Sequence, residues 1–295
     1  MSPDKIRIVI TGANGQLGTD LCRELQARDI VPLTHSDTEI SDMDSVKSVL
    51  QRYRPDIIIN TAAFVRVDDC ESNADTAYRV NVLGARNIAV AAQELGAKLI
   101  HISTDYVFGG EGEPHTIPYT EFDTPVPLNT YGKSKLAGEN LVRHLCSRHF
   151  IIRSSGLYGV TGASGKGGNF IETMLRLARE RDELKVVHDQ ILSPTYTADL
   201  AQKITQLMTT EYYGIFHVTN RRDCSWYEFA EEIIRLAGVG VKLTPITSDQ
   251  FPTPAQRPRF SVLDNYHLRL LGLDDMRPWQ EALWGYMKEK GYLKP

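Results

Sequence analysis

Cysteine is scarce: Cys22, Cys70, Cys146 and Cys224 are the only four among 295 residues. They lie far apart with no C-x-x-C pair, which fits isolated reduced thiols better than a disulfide framework or a zinc site. The histidines form no H-E-x-x-H arrangement, so no metal centre is expected. No apolar run approaches the ~18 residues that a membrane helix needs. The opening Met1-Ser2-Pro3-Asp4-Lys5 leads straight into the apolar run Ile6 to Ile10, without the separate apolar segment and cleavage site of a secretory signal. A cytoplasmic protein with no membrane partner is expected. Positive charge is not in excess: 33 Lys and Arg against 37 Asp and Glu give a net charge of -4, which argues against a nucleic-acid partner. Internal repeats and low-complexity segments are absent.

What is present is an alternation of short β-branched runs and amphipathic stretches, the pattern of βαβ units around a parallel sheet. Strand-like runs are Ile6 to Thr11, Ile30 to Thr34, Ile57 to Asn60, Lys98 to Ser103 and Phe150 to Arg153. Most are too uniformly apolar for a sheet with one wet face, so both faces are expected to be covered. Helical spacing marks Gln16 to Arg28, Asp42 to Tyr53, Asp75 to Leu95 before Gly96, and Tyr131 to Arg148. Beyond Ser154 a Gly-rich stretch, Gly162 to Gly168, precedes an amphipathic helix with Phe170, Met174, Leu175 and Ala178. Later segments include Gly214 to Val218, Trp226 to Ala237 and Pro278 to Lys290. The expected architecture is α/β, a Rossmann-type doubly wound parallel sheet with a smaller, discontinuous substrate lobe. Residues 1-155 and 186-220 are assigned to the first, 156-185 and 221-295 to the second.

The first strand runs into Thr11-Gly12-Ala13-Asn14-Gly15-Gln16-Leu17-Gly18 and then a helix. Such a turn lets backbone N–H groups and the positive helix end approach a pyrophosphate, which points to a dinucleotide cofactor. The second strand ends in Leu33-Thr34-His35-Ser36-Asp37, with neither an acid at its tip nor an arginine directly after it, so NADPH and NADH both stay open. Asp37 reads equally as a ribose ligand or an exposed loop residue. Tyr131 and Lys135, four apart at the start of a helix, share a face. A carbonyl reduced by hydride needs a proton for its oxygen, and a phenol beside a cation can supply one. Thr104, in Ser103-Thr104-Asp105-Tyr106 at the end of the fourth strand, lies where open α/β sheets bind ligands and could hydrogen-bond that carbonyl. Trp279 and Trp284, five apart on the last helix, read as core or interface residues.

With these segments in place the chain resembles the extended short-chain dehydrogenases, and within them the dTDP-4-dehydrorhamnose reductase family. The resemblance covers nearly the whole chain. It is carried by Gly12 to Gly18, Asn60-Thr61-Ala62-Ala63 with Val67-Asp68 and Glu71, Ser103 to Phe108, Pro127 to Glu139, Gly168-Asn169-Phe170, Ser193-Pro194-Thr195 and Arg257-Pro258. It implies that Thr104, Tyr131 and Lys135 form a catalytic triad and that Gly15, Gln16 and Leu17 contact the cofactor pyrophosphate, within the loop that also holds Gly12 and Asn14. It further implies that Glu39 and Ile40 flank the adenine, that Ala62, Ala63 and Asn81 line the pocket toward the nicotinamide, and that Tyr131 and Lys135 also touch the cofactor. Asp105 and Tyr106 would face the sugar, with Asn169 and Arg257 as further nucleotide-sugar contacts. The chain departs from the family at Gly156, in Arg153-Ser154-Ser155-Gly156-Leu157-Tyr158, where members often carry tryptophan beside the sugar.

The implied reaction is reduction of the C4 keto group of dTDP-4-dehydro-L-rhamnose, with Tyr131 giving the proton and Lys135 binding the nicotinamide ribose. A reductase or epimerase of another nucleotide sugar, and a non-catalytic subunit of methionine adenosyltransferase type, are the alternatives. The expected partner is the nucleotide-sugar substrate, and the expected oligomeric state is monomer or homodimer.

Overall fold

The computed structural model describes residues 6–112, 115–161 and 168–294. Most of the Gly-rich stretch, residues 162–167, lies outside them. Six parallel strands form the central sheet: β1 (Arg7–Thr11), β2 (Asp29–Leu33), β3 (Ile57–Asn60), β4 (Lys98–Thr104), β5 (His149–Ser154) and, after four short strands described below, β10 (Gly214–His217). Their spatial order is β10-β5-β4-β3-β1-β2. Alternate residues of each strand enter two separate cores. Ile8, Ile10, Ile57, Ile59, Ile100, Ile102, Phe150 and Ile152 pack on one face; Val9, Ile58, Leu99 and Ile151 pack on the other. This two-sided burial is why the strands read as unbroken apolar runs.

Helices α1 (Gln16–Glu24) and α8 (Thr197–Leu207) cover the first face, contributing Leu17, Leu21, Leu200 and Ile204. The second is covered by α2 (Met43–Tyr53), α5 (Ala85–Leu95) and α6 (Thr130–Leu145), through Val46, Leu50, Ile88, Ala92 and Val142. Helix α2 is capped by Asp42, whose carboxylate accepts from the N–H groups of Asp44 and Ser45. The stretch expected from Asp75 to Leu95 contains α4 (Ala74–Tyr78), a wide π turn over Arg79–Gly84 and then α5, which stops at left-handed Gly96. Helix α6 ends earlier than expected because Cys146 is already extended and the Arg148 carbonyl accepts from Leu99 N–H as β5 begins.

The remaining elements are α3 (Val67–Ser72), β6 (Leu157–Tyr158), α7 (Phe170–Glu180), β7 (Glu183–Val187), β8 (Ile191–Leu192), β9 (Thr195–Tyr196), β11 (Cys224–Ser225), α9 (Trp226–Ala237), β12 (Lys242–Ile246), α10 (Tyr266–Leu270) and α11 (Trp279–Glu289). Helices α7, α9 and α11 build a third core with Ile171, Phe229, Ile233, Leu283 and Tyr286. Strand β7 pairs with β12 beside it, so the small sheet straddles the boundary expected at 185/186. Trp279 is buried in this core, whereas Trp284 is 47% exposed and lies under the Lys288 ammonium.

Candidate active site

The carboxyl ends of β1, β3 and β4 open on a cleft of ≈ 340 Å³. Its floor is the glycine loop, and Gly12, Asn14, Gly15, Gln16, Leu17, Glu39, Ile40, Ala62, Ala63, Tyr131 and Lys135 all line it. The N-terminus of α1 begins at Gly15 with no side-chain cap, leaving backbone N–H donors and the positive helix end for an anion. Gly12 has φ +71°, and a Cβ there would meet Thr61 Oγ1 at 2.7 Å and Ala62 N at 2.8 Å; only glycine lets the loop lie against β3. The uncapped helix end and close-packed loop fit a dinucleotide pyrophosphate. At the outer end Glu39 is held by Ser41 and pairs with His35. Asp37 caps its own turn, accepting from Thr34 N–H and Oγ1–H at 2.7 Å each.

A second cleft of ≈ 240 Å³ continues from the first. Gln16, Val65, Ser103, Tyr131 and Leu157 line both. Thr104, Asp105 and Tyr106 form one wall of the second; Gly156, Gln190, Ile191, Leu192, Trp226, Pro258 and Ser261 are among the residues opposite. Beyond it lies a groove of ≈ 940 Å³ with His115, Phe251, Arg257, Arg259 and Phe260 on its sides, sharing Gln190 and Ile191 with the sugar-sized cleft.

Tyr131 and Lys135 sit in the first turns of α6, which Asn129 caps through Gly132 N–H. Glu71, at the end of α3, accepts from Thr130 N–H at 2.8 Å and Thr130 Oγ1–H at 2.9 Å, placing a carboxylate on the positive end of α6. Burial pushes the Tyr131 phenol above its usual range, with a hydrogen bond to Thr104 working the other way. At neutral pH the phenol is therefore a proton donor, as reduction requires. Lys135 does share the face of Tyr131, but its Nζ donates to the Ile102 carbonyl at 2.6 Å. Burial lowers its pKa to about 8, opposed by Glu139 one turn further on.

Two expected site residues stand behind the clefts. Asn81 lines none of the three; its Oδ1 accepts from Phe64 N–H at 2.8 Å, and its Nδ2 donates to Phe64 O and Ser134 Oγ. It ties the Phe64 segment, next to the cleft-lining Ala62 and Ala63, to α6. Asn169 is the cap of α7, accepting from Glu172 N–H and donating to Gly159 O and Tyr286 Oη, with 7% exposure. Both ends of its amide are engaged within the fold, and it lines none of the three clefts. Arg257 does reach the groove, but its guanidinium is tied to the Asp68 carboxylate by bonds of 3.0 and 2.8 Å. Among the described residues no three His, Cys, Asp or Glu side chains converge on a metal-sized site, and no helix is long and apolar enough to cross a membrane.

Fold and paired clefts together define a Rossmann-type oxidoreductase with a dinucleotide cleft opening into a substrate cleft. The comparisons with known proteins narrow that class. This chain belongs to the dTDP-4-dehydrorhamnose reductase family: the family model described as the RmlD substrate binding domain matches residues 6–291. The spore coat polysaccharide biosynthesis protein SpsK of Bacillus subtilis is 43% identical over 96% of this chain and 98% of its own. The crystal structure of a dTDP-4-dehydrorhamnose reductase from Clostridium acetobutylicum superposes with a TM-score of 0.92 at 44% identity, covering 97% of this chain and 100% of that one. That of Bacillus anthracis, in complex with NADP, gives 0.91 at 46% identity over 97% and 99%.

Proposed function

We propose that this chain is a dTDP-4-dehydrorhamnose reductase, using NADPH or NADH to reduce the C4 keto group of dTDP-4-dehydro-L-rhamnose to dTDP-L-rhamnose. The observation that carries the reading is Tyr131 on the shared wall of two continuous clefts, one fitted to a dinucleotide and one beside Thr104. The bound cofactor supplies the hydride. The chain's own groups do the rest: Tyr131 gives its proton to the carbonyl oxygen, Thr104 holds that oxygen, and Lys135 anchors the ribose side of the cleft. Proton donation and positioning of this kind account for much of the rate of such reactions. The uncapped end of α1 holds the pyrophosphate with Gly15, Gln16 and Leu17, while Glu39 and Ile40 bound the adenine. The large groove takes the nucleoside diphosphate, with Arg259 on its side, 65% exposed at its side chain and paired with the exposed Asp249 at 3.6 Å, turning to phosphate.

The division into a dinucleotide unit (1-155 and 186-220) and a substrate lobe (156-185 and 221-295) is part of this reading, as are a cytoplasmic location and a monomeric or homodimeric state. Unpaired thiols at Cys22, Cys146 and Cys224 suit a reducing compartment. Gly156 and Leu192 on the sugar cleft favour one second reading, reduction of a different nucleotide-linked keto-deoxysugar by the same groups. NADPH and NADH oxidation with dTDP-4-dehydro-L-rhamnose tests the proposal. Rapid oxidation that Tyr131→Phe abolishes is expected; silence from folded, NADP-binding protein moves the substrate to the second reading.

A further inference from the structure

The Thr104 hydroxyl has one proton and two lone pairs, and the fold commits nearly all of them. Tyr106 N–H donates to Oγ1 at 3.2 Å, and Oγ1 donates to Asp105 Oδ1 at 3.1 Å. The Tyr131 phenol lies within hydrogen-bonding reach of the same oxygen. With Asp105 ionised, the only proton of Thr104 therefore points at the carboxylate. The lone pair that remains is all that Thr104 then offers the Tyr131 phenol, an acceptor in place of a donor. Both protons that a carbonyl oxygen in the sugar cleft needs are then turned aside.

The far side of the carboxylate defines the other state. Oδ2 accepts from Ser155 Oγ at 2.8 Å and from Ser261 Oγ at 2.7 Å. With both serines donating, a proton arriving on Asp105 is accommodated on Oδ1, facing Thr104. Oδ1–H then donates to Oγ1, and the Thr104 proton swings toward Tyr131 and the cleft. We propose that Asp105 is a positioning residue that sets the direction of the Thr104 hydroxyl: protonated, it directs the Thr104 and Tyr131 protons at the carbonyl oxygen of the substrate, and ionised, it withdraws them. The kinetic part rests on the reductase reading above; the hydroxyl's direction is a property of the folded chain alone.

The carboxyl is placed to titrate. It is 3% exposed, and burial raises its pKa to about 6 against the lowering effect of Ser261, Ser155 and Thr104. The charged and titratable groups around it come from several elements. Tyr106 is on its own segment; Tyr131 and Lys135 lie on α6; Cys70 of α3 acts on Tyr131; and Arg257, from the C-terminal loop, acts on Tyr106 together with Asp68. Arg153 and Glu139 neutralise one another in a buried pair. Phosphates bound in the adjoining clefts add negative charge and push the carboxyl higher.

Asp105→Asn separates the two states. Its amide oxygen meets the two serines and its NH₂ meets Thr104, a permanent donor in place of the acid. The wild type is expected to lose kcat/KM on the order of tenfold between pH 6 and pH 7.5, as the acid form is lost; in the variant the same ratio falls to roughly twofold or less. An unchanged profile overturns the proposal. A second measurement needs no sugar: infrared titration of the buried carboxyl band, identified by its absence from Asp105→Asn, in the NADP-bound protein. Thr104→Val removes the donor to the ionised form, so the midpoint rises, and Thr104→Ser brings it back. No shift overturns the proposal even if the sugar is reduced; a shift without sugar turnover supports Asp105's control of Thr104 and fells the substrate assignment instead.

Discussion

Arg153 and Glu139 form a fully buried ion pair beneath the cleft wall, with Nη2 to Oε2 at 2.6 Å and side-chain exposures of 2% and 1%. Glu139 also accepts from the Ser103 hydroxyl and from Arg153 Nε. It thus joins α6, which carries Tyr131 and Lys135, to the strand end that carries Thr104. Removing one partner leaves a buried charge uncompensated, so Glu139→Gln is expected to cost roughly 3–5 kcal/mol in urea unfolding. The paired Arg153→Met/Glu139→Leu protein is expected to recover most of that loss, because it buries no charge. If the double variant is as unstable as the single one, the pair's role is packing, not charge balance.

Glu139 has a second, kinetic consequence. Lys135 is held at about 8 by burial, with Glu139 pulling the other way. The charged form is present below that pH and lost as pH rises through it, so activity that depends on the ammonium falls above about 8. In Glu139→Gln the upward pull is gone and the falling limb moves to lower pH. A pH profile of kcat/KM for the folded variant reads this directly; a limb that stays in place would show that Lys135 does not need its charge.

Tyr131→Phe keeps the ring and loses only the proton. Turnover is expected to drop by about 10²–10⁴-fold, the usual contribution of a positioned acid, with NADPH binding measured by fluorescence little changed. A variant that still turns over at near the wild-type rate would remove Tyr131 from the mechanism.

Much of this site was legible because its signals are local in sequence. The glycine loop occupies seven consecutive positions after β1, and Tyr131 and Lys135 are one helical turn apart, so strand, loop and helix periodicity placed them without tertiary knowledge. The strands were legible because burial on both faces leaves no polar alternation. Asn81 lies on a π turn, which has no strong sequence signature, so its bonds to Phe64 and Ser134 were not legible. The capping role of Asn169 was readable from its place before an amphipathic helix, but the family resemblance outweighed it. Ser155, Gln190, Leu192, Trp226 and Ser261 carried no signal at all, since only the folded chain brings these distant segments beside Thr104 and Asp105. The direction of Lys135 Nζ, toward Ile102 O, likewise follows from packing and not from spacing.

Asn81 offers a test of indirect positioning. Asn81→Ala leaves the part-buried N–H and C=O of Phe64 without their side-chain partner, at a cost of about 1 kcal/mol for each hydrogen bond lost. Because the affected segment includes Ala62 and Ala63, the KM for NADPH is expected to rise more than the KM for the sugar. Equal effects on both would mean that Asn81 supports the fold without selectively shaping the cofactor wall.

Gly156 stands on the wall of the second cleft beside Leu192, and its backbone explains why a glycine is there. It has φ +54°, and a Cβ there would lie 2.7 Å from Leu192 Cδ1 and 3.2 Å from Pro194 Cα. Gly156→Ala therefore carries two separable penalties. The left-handed backbone costs about 1–2 kcal/mol for any residue with a Cβ, and Leu192, which shares the cleft wall with Gly156, must move. The KM for the sugar is expected to rise by roughly three- to tenfold, the scale of a methyl-sized change in a pocket, while that for NADPH stays put. Adding Leu192→Ala makes room for the new methyl group and should return the sugar KM toward wild type, but it cannot relieve the backbone, so the stability deficit in urea should persist. If the double variant recovers stability yet not sugar affinity, the glycine serves the fold through Leu192, and the shape of the sugar cleft is set elsewhere.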